Sequence, residues 1–176
     1  RLSHEEAMQA IYIKGRDNAR TPVQWDSSAN AGFSPEGVTT WINVNPNYPE
    51  INAEAVLADE DSIFYHYQQL VALRRGKLKD LMVYAAFAPV DSVQVPHDQD
   101  EAVYAYTRTG GADGSPANES LLVISNFTAE EQERDFAVLN EAREAGARVE
   151  LVSSNYKDDA GSTLRPYEAK VYHIVR

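Results

Sequence analysis

Residues 15–60 form the longest stretch of this sequence without a hydrophobic period, and this stretch limits what the chain can fold into. It contains four prolines, six asparagines and both tryptophans, Trp25 and Trp41. A structureless run of more than about 20 residues is unusual in a compact domain and is either functional or disordered. Disorder is disfavoured, because tryptophan and aliphatic side chains gain free energy when they are buried. We therefore expect an ordered, functional loop.

Two helices are predicted to flank this loop. Ser3 and Glu6 have the spacing of a capping box, which predicts a helix over residues 3–14. Gly15 is expected to end that helix in the left-handed conformation. Residues 61–75 place apolar side chains at helical spacing and end in two arginines, which suit the negative end of the helix dipole.

After about residue 81 the pattern changes to short runs typical of β-strands, separated by turn residues. The runs are 83–90, 102–109, 120–127, 135–139, 148–153 and 169–175. Residues 141–145 would tolerate a helix, but we interpret them as a connection. Evenly spaced short strands predict an antiparallel β-sandwich, so the fold class of the whole chain is α+β.

Composition excludes several classes of function. The formal net charge of −11 disfavours nucleic acid and anionic membranes as partners, whereas neutral sugars remain open. The chain has no cysteine, which excludes disulfides and thiolate metal sites and fits a reducing, cytoplasmic location. No run is apolar and long enough to span a bilayer. Because Arg1 is not an initiator methionine, we expect a fragment of a longer protein.

Polar residues are densest at the start of the long loop. Arg16, Asp17, Asn18 and Arg20 follow one another within residues 15–22. Two guanidinium groups with an acid and an amide between them suit a carboxylate or a polyhydroxyl ligand. The same residues would also form a solvated ion-pair cluster that holds the loop, and composition alone favours that simpler interpretation.

Two other features have a functional and a structural interpretation. Trp25 and Trp41 would suit stacking on a sugar ring, although loop tryptophans more often pack inward as anchors. His97 lies among acidic residues in the segment 95–101, which would suit a metal or acid/base site. We favour a solvated loop tip there. The remaining histidines are isolated in sequence.

Residues 12–26, with the sequence YIKGRDNARTPVQWD, resemble a signature of the oligo-1,6-glucosidase branch of the alpha-amylase superfamily. Six further segments resemble that family in the same order: 30–33, 41–48, 51–52, 61–65, 121–128 and 163–169. The resemblance covers nearly the whole chain. The family has a (β/α)8 barrel, with its site at the C-terminal ends of the strands, followed by a small antiparallel sandwich.

The resemblance implies a division of the chain into two parts. Residues 1–80 would be the C-terminal end of the barrel, a helix–long loop–helix remnant, and residues 81–176 would be the β-sandwich domain. The loop 15–60 would follow the eighth strand of the barrel. The apolar surface of a barrel remnant would be uncovered, so we expect self-association of the isolated chain.

The resemblance also implies retaining hydrolysis of a terminal α-linked glucose by two carboxylates. In the family these carboxylates precede the segment that matches Arg16, so we expect no catalytic residue here. Arg16 would bind the terminal glucose, Arg20 would brace the loop, and Asp17 and Asn18 would lie behind that site. We expect no cofactor and no metal, and an oligosaccharide as partner together with the missing barrel.

Several alternatives stay open. Enzymes for α-1,6 and α-1,4 linkages, sucrose and trehalose-6-phosphate share this region, and Gly15 and Ala19 favour the oligo-1,6-glucosidases. A non-catalytic carbohydrate-binding module would use Trp25 and Trp41 as a platform. A purely structural domain would touch no ligand.

Overall fold

The computed structural model describes residues 2–111 and 116–176, except for the side chains of Ile13, Lys14, Arg16 and Asn18. The chain divides into two compact units, Arg1–Tyr67 and Gln68–Arg176. In the described part of the chain, no helix combines the length and the apolar character needed to cross a membrane. The predicted domain boundary between residues 80 and 81 concerns the longer protein and stays a prediction.

The first unit begins with helix α1 (His4–Lys14), which is capped as predicted. Ser3 Oγ accepts from the Glu6 amide, and Glu6 Oε2 accepts from the Ser3 amide at 2.7 Å. The predicted left-handed end of the helix is wrong, because Gly15 has φ −71°. Glycine is needed for another reason: a Cβ there would lie 2.6 Å from the carbonyl oxygen of Ile11.

The long loop is ordered by short elements that were not predicted from the sequence. A 3₁₀ helix covers Arg16–Arg20, a left-handed turn covers Ala29–Gly32, and helix α2 covers Ala53–Ala58. Helix α3 (Ile63–Arg75) then confirms the predicted second helix. No residue of α3 is buried, and its apolar residues Ile63 and Tyr67 are exposed.

The second unit is built on a five-stranded antiparallel sheet with the order β1-β2-β3-β7-β5. Its strands are β1 (Ala86–Pro89), β2 (Val103–Thr109), β3 (Glu119–Asn126), β5 (Arg148–Ser154) and β7 (Ala169–Val175). Two short strands, β4 (Gln132–Glu133) and β6 (Thr163–Leu164), form a separate antiparallel pair. The unit also contains the end of α3, helix α4 (Lys79–Val83) and helix α5 (Ala137–Glu144). The prediction of an α+β chain with an antiparallel sheet is thereby confirmed.

Two segment assignments differ from the prediction. The start of the predicted strand 83–90 belongs to α4, so the strand begins only at Ala86. The predicted strand 135–139 and the connection 141–145 lie instead largely within α5. Leu139 and Ala142 are three residues apart and both are buried, so helical spacing brings them to the same core.

Each face of the large sheet carries its own core. On the inner face, Ala105, Leu122 and Ile174 pack with α5 residues and with Leu164 of β6. On the outer face, Leu121 and Val152 pack with Leu78 and Leu81. The layer opposite the inner face therefore consists of α5 and the β4–β6 pair.

A buried ionic cluster occupies one end of the inner face. Lys170 Nζ donates to Asp159 Oδ1 at 3.1 Å, and lies 3.6 Å from Glu168 Oε1. It also donates to the carbonyl oxygens of residues 161 and 163, at 3.0 and 3.2 Å. The side chains of Lys170 and Glu168 are fully buried, and Glu168 accepts two further bonds from the Arg165 guanidinium. This cluster fixes the loop between β5 and β7.

Candidate functional site

The predicted binding cluster lies in a 3₁₀ helix directly after α1. Arg16 is the first residue of that helix and Arg20 is the last. The side chains of Arg16 and Asn18 lie outside the described residues, so their assignments stay predictions. The backbone places the whole cluster at the entrance of the long loop.

Asp17 and Arg20 form an ion pair across one turn of the 3₁₀ helix. The side chains are 49% and 58% exposed, so solvent screens the pair and its contribution to stability is at most about 1 kcal/mol. The pair therefore orients Asp17 more than it stabilises the unit. The role of Arg20 in bracing the loop stays a prediction.

A cleft of about 410 Å³ opens beside this pair. Its wall combines aromatic and polar side chains from three parts of the first unit: Tyr12, Asp17, Thr21, Trp41, Ile42, Asn43, Val44, Asn45 and Pro46. Trp41 is 88% exposed and lines the cleft. Aromatic rings beside amides and a carboxylate are suited to sugars, which have apolar C–H faces and hydroxyl edges.

A second cleft of about 460 Å³ lies along the same segment and is more apolar. Its walls include Val23, Phe33, Val38 and Ile42, and Trp41 again contributes. Trp41 lines both clefts, whereas Trp25 is 54% exposed and lines neither. Asp17 is the one carboxylate among the described residues that line these two clefts, and it is paired with Arg20.

Hydrogen bonds between distant residues hold the loop that carries the clefts. The side-chain amide of Gln24 donates to Asn47 Oδ1 at 3.0 Å and also to the carbonyl of Ile51. The carbonyls of Gln24 and Trp25 accept from the first amides of α2, at 2.9 and 3.0 Å. The first amides of a helix have no acceptor within the helix, so the carbonyls of the loop serve as their acceptors. These bonds explain how a segment without a hydrophobic period is ordered.

A left-handed turn supports the second cleft. Asn30, Ala31 and Gly32 all have φ between 54° and 65°. The side-chain amide of Asn30 donates to the carbonyls of residues 35 and 38, at 3.0 and 2.9 Å. Asp26 lies against Gly32, and hydrogen bonds from the hydroxyl and amide of Ser28 hold the pKa of Asp26 below its usual value. Consecutive left-handed residues have no signal in sequence beyond the asparagine and the glycine.

The acidic segment 95–101 is only partly the solvated tip that we predicted. His97 is half-exposed and its Nδ1 lies 2.6 Å from Asp91 Oδ1. Asp100, by contrast, has a side chain that is only 5% exposed. It accepts from Arg134 Nε at 2.7 Å and from the amide of Val103 at 2.9 Å. The predicted exposure is therefore wrong for Asp100, which fixes the start of β2.

Burial alone would raise the pKa of Asp100, but the bonds from Arg134 and from the backbone outweigh it and hold that pKa below its usual value. Across the described residues, no group of three or more histidine or acidic side chains is arranged to hold a metal ion. One histidine that seemed isolated in sequence has a partner, because His173 Nε2 lies 2.6 Å from Glu119 Oε2 on the neighbouring strand.

Comparison with known proteins identifies a matching family and several relatives. Residues 2–84 match the family described as alpha amylase, catalytic domain. The chain is 42% identical to an oligo-1,6-glucosidase of Bacillus cereus, over 97% of the chain and 28% of that relative. It is 36% identical to a trehalose-6-phosphate hydrolase of Bacillus subtilis, over 99% of the chain and 28% of that relative.

Solved structures show the same likeness. The trehalose-6-phosphate hydrolase of Bacillus licheniformis superimposes with a TM-score of 0.76 at 37% identity, over 99% of this chain and 29% of that one. The isomaltulose synthase of Klebsiella sp. LX3 gives a TM-score of 0.72 at 32% identity, over 98% and 28% of the two chains. The chain thus spans under a third of the length of these proteins.

Proposed function

Because the chain belongs to the alpha-amylase superfamily, in the branch of the oligo-1,6-glucosidases, we propose that it is the C-terminal part of a retaining α-glucosidase. The complete protein, called the parent below, would release terminal α-linked glucose from isomalto-oligosaccharides. The observation that carries the proposal is the cleft lined by Tyr12, Asp17 and Trp41 directly beside the Arg16 segment.

In this proposal the chain contributes to substrate binding and the missing part supplies the reaction. A carboxylate oxygen attacks the anomeric carbon, and a carboxylic acid gives its proton to the departing glycosidic oxygen. Water then cleaves the glucosyl–enzyme bond, and its proton returns to the acid. Retaining hydrolysis needs two carboxyl groups about 5 Å apart, whereas the described lining residues provide only the paired Asp17.

We assign Arg16 to the terminal glucose. A planar guanidinium group is able to pair with a carboxylate of the missing part and still donate to a sugar hydroxyl. The contact between Asp17 and Arg20 occupies the guanidinium group of Arg20, which favours a bracing role for Arg20 over a sugar contact. Asn18 lies behind the site in this proposal.

The assignment of Arg16 is testable in the parent. Arg16→Ala should cost about 2–5 kcal/mol in kcat/KM, because a buried charge in the complex would lose its partner. Arg20→Ala is the matched control and should cost less than about 1 kcal/mol, since its ion pair is exposed. Steady-state kinetics with isomaltose measures both, and equal effects of the two variants would refute the assignment.

The proposal also predicts that the 176-residue chain alone is inactive. Incubation with isomaltose or a chromogenic α-glucoside should release no glucose above a buffer blank. Saturable turnover by a pure sample would show that this chain carries its own pair of working acids, and the proposal would be abandoned.

A carbohydrate-binding module is the second candidate, because the ring of Trp41 is largely exposed beside both clefts. Calorimetric titration of the isolated chain with isomaltose distinguishes the two. A binding module keeps its affinity without the barrel, whereas half of an enzyme site does not.

A further inference from the structure

An exposed strip of the long loop forms one wall of the cleft of about 410 Å³. Its members Trp41, Asn43 and Asn45 are exposed and line the cleft. They alternate with Ile42 and Val44, which are half-buried. Alternation with a period of two is typical of extended backbone, in which successive side chains lie on opposite sides. The loop therefore carries an indole ring and two amides on the same exposed side.

The groups on this strip are available to a ligand. Trp41 is 88% exposed, although an aromatic ring gains free energy when it is removed from water. Asn45 Oδ1 accepts only one long hydrogen bond, of 3.3 Å, from the Asn47 amide. Among the described residues, the side chain of Asn43 has no hydrogen-bond partner. Tyr12 of α1, which is 76% exposed, adds a second aromatic ring to the same cleft.

This combination suits a sugar better than a segment of protein. The C–H face of a pyranose ring packs on an aromatic side chain, and its hydroxyl groups bond to amides. The neighbouring cleft of about 460 Å³ has apolar walls, such as Val23, Phe33 and Val38, and would suit an apolar side chain. The polar side chains of Asn43 and Asn45 line only the cleft of about 410 Å³.

The size and charge of the cleft indicate what it holds. Pockets of about 300–1,000 Å³ take drug-sized molecules, and a single pyranose ring is smaller than such a molecule. The cleft lies beside the 3₁₀ helix that begins at Arg16, and the next residue, Asp17, lines it. The described lining contains no lysine or arginine, so a neutral chain fits better than a phosphorylated one.

We infer that Trp41 stacks on a glucose unit beyond the scissile bond, and that it favours neutral oligosaccharides of three or more units over shorter substrates. The inference rests on the proposed function, because it takes Arg16 to hold the terminal glucose. Trp41 is then a positioning residue, which holds the departing part of the chain and does not touch the anomeric carbon. Binding energy of this kind acts mainly on KM.

Steady-state kinetics of the parent tests the inference. Isomaltotriose carries two units beyond its terminal glucose, whereas α-glucosyl fluoride carries none, because its leaving group is fluoride. The ratio of kcat/KM for isomaltotriose to kcat/KM for α-glucosyl fluoride does not depend on the fraction of enzyme that is folded. Trp41→Ala should lower this ratio by about 10- to 100-fold, mainly through the KM of isomaltotriose. Trp41→Phe keeps an aromatic ring and should lower it by less than about threefold.

The matched control is Trp25→Ala, because Trp25 is 54% exposed and lines neither cleft. That substitution should leave the ratio unchanged. A ratio in Trp41→Ala that equals that of the wild type, or an equal fall in both variants, would overturn the inference. Release of glucose from isomaltose by the wild type tests the proposed function separately, so an active wild type with an unchanged ratio in Trp41→Ala removes only the role of Trp41.

Hydroxyl-radical footprinting of the wild-type parent is a second measurement, and it does not depend on any variant folding. The ligand is isomaltotriose with sulfur in place of both glycosidic oxygens, which resists hydrolysis. Saturating ligand should slow the oxidation of Trp41 and leave that of Trp25 unchanged. Oxidation of Trp41 that is equally fast with ligand would overturn the inference. So would protection of Trp41 before ligand is added, because the preceding part of the parent would then cover the ring.

Discussion

Replacing Lys170 with methionine tests the buried ionic cluster. The side chain is fully buried, and its ammonium group has partners at 3.0, 3.1 and 3.2 Å besides Glu168 at 3.6 Å. Methionine fills a similar volume but leaves the nearby carboxylates without this cation. Removing one partner of a buried ion pair costs about 3–5 kcal/mol.

We expect the lower end of that range for Lys170→Met. Asp159 is 29% exposed, so water replaces part of what the ammonium supplied. Glu168 keeps its two bonds to the Arg165 guanidinium, at 2.7 and 3.2 Å. The free energy of unfolding should therefore fall by about 3 kcal/mol at neutral pH.

The loss should also depend on pH. Burial would raise the pKa values of Asp159 and Glu168, but hydrogen bonds and the Lys170 charge outweigh it and hold both below their usual range. A carboxylate with a lowered pKa in the folded state stabilises the protein above its unfolded pKa of about 4, and loses that effect as the pH falls through its folded pKa. In Lys170→Met the two carboxylates stabilise the folded state less, so less stability is lost when they are protonated. The difference in the free energy of unfolding between the wild type and Lys170→Met should therefore narrow below a pH of about 4.

Urea unfolding followed by far-UV circular dichroism, at neutral and acid pH, measures both effects. Lys77→Met is the matched control, because Lys77 is 57% exposed and lies 3.5 Å from Glu150. That substitution should cost less than about 1 kcal/mol. Equal losses for the two lysines, or a loss at position 170 that does not change with pH, would refute this account of the cluster.

Two further substitutions test the loops. Gly32→Ala should destabilise the first unit by about 1–3 kcal/mol, because Gly32 has φ 65° and a Cβ would lie 2.8 Å from the Asp26 carboxyl carbon. Gly37→Ala should cost less, because Gly37 also has a positive φ of 83° but a Cβ there would meet open space. Urea unfolding followed by tryptophan fluorescence measures the stability of both variants, and equal losses would contradict the steric argument. Asn126→Ala should cost about 2–4 kcal/mol, because the 3% exposed amide donates to two backbone carbonyls at 2.8 and 2.9 Å. The control is Asn118→Ala, which removes an exposed hydrogen bond of 3.2 Å to the carbonyl of Arg176. A loss of stability comparable to that of Asn126→Ala would be inconsistent with burial as the cause.

The family and the regular elements were predictable because their signals are local. The capping box of α1 needs only Ser3 and Glu6, three residues apart. The alternation in β2 appears in its burial pattern, with Val103, Ala105 and Thr107 buried. Where the local signal was ambiguous the prediction failed, as for residues 135–139, whose apolar spacing fits a strand or the start of α5.

The candidate site was predictable only in part. The signature around Arg16 located the segment, but the wall formed by Tyr12, Asp17 and Trp41 joins residues that are far apart in sequence. Trp25 and Trp41 seemed equivalent in sequence. In the fold Trp41 lines both of the clefts described above, whereas Trp25 lines neither.

The segment 12–26 was sufficient to indicate the family by resemblance. Local chemistry indicated the helices flanking a long loop and most of the strands, since capping, alternation and helical spacing act over a few residues. Only the folded chain showed which charges are buried. Asp100 and Arg134 are 34 residues apart, yet they form a pair at 2.7 Å. Lys170 is fully buried, and its ammonium group pairs with Asp159, 11 residues away. Burial depends on contacts between distant segments, and no rule confined to neighbouring residues contains that information.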